Sequence, residues 1–165
     1  MITPEIAESI EHSVLCWLAT VSADGFPNVS PKEAFIHDGG GRILIANIAS
    51  PKTARNIYEN EKVCASFVNV FIQKGFKITG IGKILKPGIS GYEDRFEKLT
   101  SVIGTRFPIV SIFEIEPSKV EEIIAPSYRL FPDSSPEDRI KESVASYRIE
   151  HYKKQAEQSS RGNVG

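Results

Sequence analysis

The chain has 165 residues, 41% hydrophobic and 25% charged, with a formal net charge of −1. That is the composition of a globular domain with a real core, and the missing basic excess argues against nucleic acid or an anionic membrane as partner. No apolar run approaches the ~20 residues that span a bilayer, and no basic segment with an apolar stretch opens the chain, so a cytoplasmic protein without a secretory signal is expected.

Residues 3 to 12 predict a short helix, entered through Thr3-Pro4-Glu5, with Ile6 and Ile10 on one face. Val14 to Ser22 reads as a first strand, and Ala23-Asp24-Gly25 as the turn of a hairpin. Residues 28 to 37 form a second strand that contains Pro31, which implies an edge, a bulge or a break in pairing. Asp38-Gly39-Gly40-Gly41 is a further hairpin turn; no helix with Gly-Lys-Ser/Thr follows it, so it is not a phosphate loop. Arg42 to Ala46 is a third strand, leading into a helix at Ser50. Val63 to Val70 and Phe76 to Leu85 are the fourth and fifth strands, residues 92 to 103 a helix, and Ile109 to Ile115 a sixth strand. Short strands joined by hairpins, with few helices, predict a mainly β (α+β) antiparallel barrel or sandwich.

After Ala125 the composition changes. Residues 126 to 138 are rich in Pro, Ser and Asp and predict an irregular connection; residues 136 to 158 are charged and helical in pattern. The expected organisation is therefore a barrel domain over 1–125 and a C-terminal connection and helix over 126–165. Cys16 and Cys64 lie far apart in strand-like runs and read as free thiols, and His12, His37 and His151 have no metal-ligand spacing.

One helix start stands out. Thr3-Pro4-Glu5 and Ser135-Pro136-Glu137-Asp138 put acids in the first turn, where the helix dipole favours them. Ser50-Pro51-Lys52-Thr53 puts a cation there instead. Two readings fit: a solvated surface lysine, or a bound anion that supplies the missing negative charge. A second Ser-Pro-Lys occurs at 30–32. A hairpin around Gly39 to Gly41 would bring Lys32 and Lys52 to one side of the sheet.

The stretches LATVSADGFPNVSPKEAF (18 to 35), RILIANIASPKTARNI (42 to 57), VCASFV (63 to 68) and KGFKITGIGKI (74 to 84) together resemble the FMN-binding split barrels related to pyridoxamine 5′-phosphate oxidase. The resemblance implies a six-stranded antiparallel Greek-key split barrel, paired as a homodimer with FMN at the subunit interface. Position by position, it implies that Lys52 and Thr53, with Ser50, hold the FMN phosphate. Lys32, Glu33 and Ala34 of the second strand would contact the ring, partly through backbone groups; Ala46 and Asn47 would lie along the flavin; Gln73, Lys74 and Gly75 would approach it. The oxidases proper carry an Arg-Leu-x-Pro segment near the C-terminus. Here Arg129-Leu130-Phe131-Pro132 lies well before the end, so the oxidase reaction proper is not expected.

The rest of the chain carries no other chemistry. There is no G-x-S-x-G elbow, and Glu121-Glu122 and Glu137-Asp138 read as solvated surface. A bound flavin would itself carry the reaction. The expected function is electron or hydride transfer from NADH or NADPH through FMN to an unnamed small-molecule or protein acceptor. The alternative is a non-catalytic FMN-binding module or electron carrier. Phe76, Tyr128 and Phe131 are candidates to cover the flavin, or else core or dimer contacts.

Overall fold

The structure is a computed structural model, and it describes residues 2–161. The chain divides into two compact units, residues 2–69 with 75–123, and residues 70–74 with 124–161.

The first unit holds three helices, α1 (Pro4–Glu11), α2 (Pro51–Glu59) and α3 (Tyr92–Ile103), and the strands of one curled antiparallel sheet. These are β1 (Cys16–Val21), β2 (Pro27–Lys32), β3 (Phe35–His37), β4 (Ile43–Asn47), β5 (Lys62–Asn69), β6 (Lys74–Leu85) and β7 (Ser111–Ile124), in the order β2-β1-β5-β6-β7-β4-β3. Six strands were expected, and the described residues form seven. The predicted second strand breaks at Glu33 and Ala34, and its halves lie at opposite edges of the sheet. Pro27 and Pro31 mark β2 as an edge strand, because proline has no N–H to give a further neighbour.

Both predicted hairpins form. The β1–β2 turn has Gly25 at φ 87°, and across it the Ser22 N–H donates to the Phe26 carbonyl and the Phe26 N–H to Ser22 Oγ. Around the glycine turn, β3 pairs with β4 through Phe35 opposite Ile45 and His37 opposite Ile43. The sixth predicted strand, now β7, runs on to Ile124. Gly80 is required by packing: a Cβ there would lie 2.2 Å from the Glu116 carbonyl oxygen.

Alternation along β4 and β7 separates two cores. Ile43, Ile45, Phe113 and Ile115 join Leu18, Ala65, Phe67 and Ile78 in the larger one, which α1 and α2 cover with Ile6, Ile10 and Ile57. Leu44, Ala46 and Ile112 face the other way and pack under Tyr92 and Leu99 of α3. Cys16 and Cys64 are free thiols.

The second unit contains α4 (Ser127–Leu130), α5 (Pro136–Ser146) and α6 (Ile149–Arg161). The single helix expected over 136–158 is interrupted where Arg148 adopts φ 53°. Arg139 is buried and organises this unit. It donates to the Ser127 hydroxyl at 2.8 Å and the Phe131 carbonyl at 3.0 Å, and its guanidinium lies 3.7 Å from the Tyr128 ring centre. Among the described residues no helix is long and apolar enough to cross a membrane.

Candidate functional site

The site grows from the inward row of β2. Side chains alternate along a strand, so Asn28, Ser30 and Lys32 share a face while Pro27, Val29 and Pro31 point the other way. Lys32 lies directly opposite Cys16 and is only 5% exposed. Its ammonium donates to Ser30 Oγ at 2.6 Å and to Ser50 Oγ at 2.5 Å, and sits 5.8 Å from the Phe113 ring centre. Among the described residues no carboxylate pairs with it. Burial holds its pKa below the ordinary 10.5, since a charge out of water is costly without a counter-charge.

Ser50 is the residue before α2, and its conformation is unusual for that place. Thr3 before α1 and Ser135 before α5 are extended, with ψ 164° and 159°, and each side chain accepts a hydrogen bond from the third helical N–H, that of Ile6 and of Asp138. Ser50 has ψ 61°, and its side chain caps no helix N–H; its hydroxyl is taken by Lys32. The first turn of α2 contains no acid. Lys52 is exposed there and Thr53 is 2% exposed. The Ser30 and Ser50 hydroxyls and a buried ammonium thus meet just before an uncapped helix, whose first turn carries Lys52 and Thr53. That donor set suits a phosphate.

Asn47, the last residue of β4, ties this corner together. Its Oδ1 accepts from the Ser50 N–H at 3.1 Å and its Nδ2 donates to Ser111 Oγ at 2.8 Å. Its own carbonyl accepts from the Val110 N–H at 2.8 Å. Beside α2, a cleft of about 600 Å³ is lined by Phe26, Asp24, Pro51, Lys52, Arg55 and Asn56.

Of the residues named from the sequence, Lys32, Ser50 and Asn47 are joined by hydrogen bonds, and Lys52 and Thr53 follow Ser50 in the first turn of α2. Ala34 and Ala46 are joined by a backbone hydrogen bond of 2.9 Å and pack in the smaller core under α3. Glu33 lies on a different cleft, with His37, Glu11 and Phe35. Gln73 and Lys74 belong to the second unit, where Lys74 Nζ stands 4.6 Å from the Tyr128 ring centre. Gly75 is held by packing, because a Cβ there would lie 2.0 Å from the Phe67 carbonyl oxygen. Phe76 packs on the larger core, 6.4 Å from Phe67 between ring centres, and Phe131 is exposed.

Three residues of the corner were missed. Ser30 carried a signal in the repeated Ser-Pro-Lys. Arg55 carried one in its i, i+3 spacing from Lys52. Ser111 carried none, because it meets Asn47 across 64 positions of chain.

The fold is a split barrel whose second helix opens without a side-chain cap or a first-turn acid. The chain belongs to the pyridoxamine 5′-phosphate oxidase family, whose model matches residues 2–124. It is 37% identical over 70 residues to the uncharacterized protein MJ0282 of Methanocaldococcus jannaschii, a match that spans 46% of that protein, so the chain spans about half the length of the curated relative it matches. Among solved structures it is similar to HupZ of Group A Streptococcus, with 25% identity and a TM-score of 0.62 over 73% of this chain and 92% of that one. An FMN-binding protein from Syntrophomonas wolfei shares the fold, with 18% identity and a TM-score of 0.60 over 73% of this chain and 86% of that one.

Proposed function

We propose that this protein binds FMN and seats its phosphate at the N-terminal end of α2. The observation that carries this reading is Lys32: an ammonium 5% exposed, without a carboxylate partner among the described residues, directed at an uncapped helix start. A buried charge normally has a counter-charge, and a phosphate dianion supplies one. Lys32, Ser30 and Ser50 would hold one side of it, Lys52 and the Thr53 hydroxyl the other. By the family resemblance, Lys32, Glu33 and Ala34 would contact the flavin ring, partly through backbone groups, and Ala46 and Asn47 would lie along it. When bound, FMN supplies reversible one- and two-electron chemistry.

The corner's side chains favour a binding or electron-carrying role. They are hydrogen-bond donors that fix and neutralise an anion, and none stands as an acid–base pair. A second reading is an oxidoreductase taking electrons from NADH or NADPH and passing them to a further acceptor; the cleft beside α2 offers it the Phe26 ring, Lys52 and Arg55, with Asp24 and Glu59 setting two carboxylates against those cations. The outer face of β2 and β1 supports pairing of two copies. Trp17 is 46% exposed and Val29 58%, with Pro31 opposite Trp17 in register, an apolar face a partner would cover.

The test is reconstitution with FMN, followed by anaerobic addition of NADH or NADPH. A flavin absorbance retained through gel filtration, with a dimer mass, is expected; loss of all flavin on the column would reject the proposal. Rapid bleaching would promote the oxidoreductase reading over the carrier.

A further inference from the structure

We infer that Asn47 is a positioning residue that keeps the start of α2 open to an anion by preventing Ser50 from capping its own helix. The inference rests on the phosphate reading of that corner. Ser is a strong N-cap residue, and Thr3 and Ser135 show that this chain caps helices in the usual way when nothing intervenes. At α2 something does intervene. The Asn47 side-chain oxygen engages the Ser50 N–H at 3.1 Å, and the Ser50 backbone stands at ψ 61° instead of the extended value of the other two.

The orientation of the Asn47 amide is fixed by chemistry. The Ser50 N–H can only donate, so the atom facing it must be the carbonyl oxygen, and the NH2 is left to donate to Ser111 Oγ at 2.8 Å. Ser111 opens β7 and Asn47 closes β4, and the two are register partners. Asn47 is 6% exposed and Ser111 1%. The clamp therefore connects the sheet to the residue before α2. The freed Ser50 hydroxyl turns to Lys32, which places the ammonium at the helix end. Without the clamp, Ser50 can extend and its hydroxyl can accept from the Thr53 N–H, the position that Ile6 and Asp138 occupy in α1 and α5. The helix would then satisfy itself and compete with a phosphate.

Residue-resolved amide exchange in the free protein, with FMN and inorganic phosphate titrations alongside, tests this. In the wild type the Thr53 N–H should exchange fast. In Asn47→Ala it should slow by about tenfold or more as Ser50 caps, and FMN affinity should fall by about tenfold. In Asn47→Ala/Ser50→Ala no hydroxyl remains to fold back, so exchange should be fast again and affinity should return to within about threefold of Ser50→Ala alone. Asn47→Asp keeps an acceptor for the Ser50 N–H, while Ser111 can donate to the new carboxylate, so Thr53 should still exchange fast. Single losses that multiply in the double variant, or slow exchange in the wild type or in Asn47→Asp, would overturn the inference. If Asn47→Ala fails to fold, the wild type and Asn47→Asp decide it. Should the wild type bind neither FMN nor phosphate, the phosphate reading falls while the exchange comparison still decides how Ser50 is held.

Discussion

α2 and α5 begin with the same dipeptide and end up opposite in character. Ser135-Pro136 is followed by Glu137 and Asp138, and a capping box closes the helix: Ser135 Oγ accepts from the Asp138 N–H at 3.1 Å, and the Asp138 carboxylate reaches back to the Ser135 N–H at 3.3 Å. The Asp138 carboxyl is held below its ordinary pKa first by the Ser135 hydroxyl. Ser50-Pro51 is followed by Lys52 and Thr53, and the cap hydroxyl is diverted to Lys32. One helix satisfies its own first turn; the other has neither a side-chain cap nor an acid there. The difference comes from the neighbours of the serine, a buried lysine on one side and Asn47 on the other, rather than from the serine itself.

Lys32→Met breaks the open helix start most severely. It removes the buried charge, and FMN affinity should fall by 100-fold or more, on the order of 3 kcal/mol for a charged hydrogen-bonded contact. Free-protein stability should hold or rise, because a thioether in place of an unpaired ammonium ends a desolvation cost. Equilibrium dialysis and thermal unfolding without ligand measure the two effects, and a large drop in both would make Lys32 a structural residue instead. Lys52→Ala removes an exposed ammonium from the same seat, and a loss of about tenfold in affinity is expected, with little change in melting temperature.

The pH profile sharpens the comparison further. The Lys32 pKa is lowered in the folded protein. Between that value and the ordinary 10.5, the unfolded chain binds the extra proton and the folded chain does not. Free-protein stability should therefore rise with pH across this window. FMN affinity should move the other way and weaken by up to about tenfold per pH unit above the lowered pKa, because the neutral amine no longer balances the phosphate. Lys32→Met should flatten that alkaline fall. A wild-type affinity that stays constant through the window would mean Lys32 does not face the anion.

Much of this was legible in the chain. Hydrophobic alternation and the two turn signals gave the hairpins, and a cation in a first turn that should favour acids pointed at α2. Pro31 announced an edge, a bulge or a break in pairing, yet not that Glu33 and Ala34 would carry the chain from one edge of the sheet to the other, since that depends on which strands pair across long distances. The local pattern could not tell a cap from an open helix end either. Ser50 and Ser135 look alike until Lys32 and Asn47, 18 and 3 positions away, are in place. Gly75 and Gly80 carry a requirement that local pattern does not announce either. An added Cβ would lie 2.0 Å from the Phe67 carbonyl oxygen at Gly75 and 2.2 Å from that of Glu116 at Gly80.

The smallest effect tests the closed member of the pair. Ser135→Ala removes the hydroxyl that caps Asp138 and should cost about 1 kcal/mol of stability, the ordinary value of an N-cap. It should leave FMN affinity within about twofold, because no part of the phosphate seat depends on it. Ser50→Ala is the counterpart. Its hydroxyl caps nothing, so its stability cost should be the smaller of the two, while its affinity cost should be the larger. Thermal unfolding and FMN titration on both variants give a two-by-two pattern. If Ser50→Ala costs as much stability as Ser135→Ala and no affinity, then Ser50 behaves as an ordinary cap in solution and the two helix starts are the same device after all.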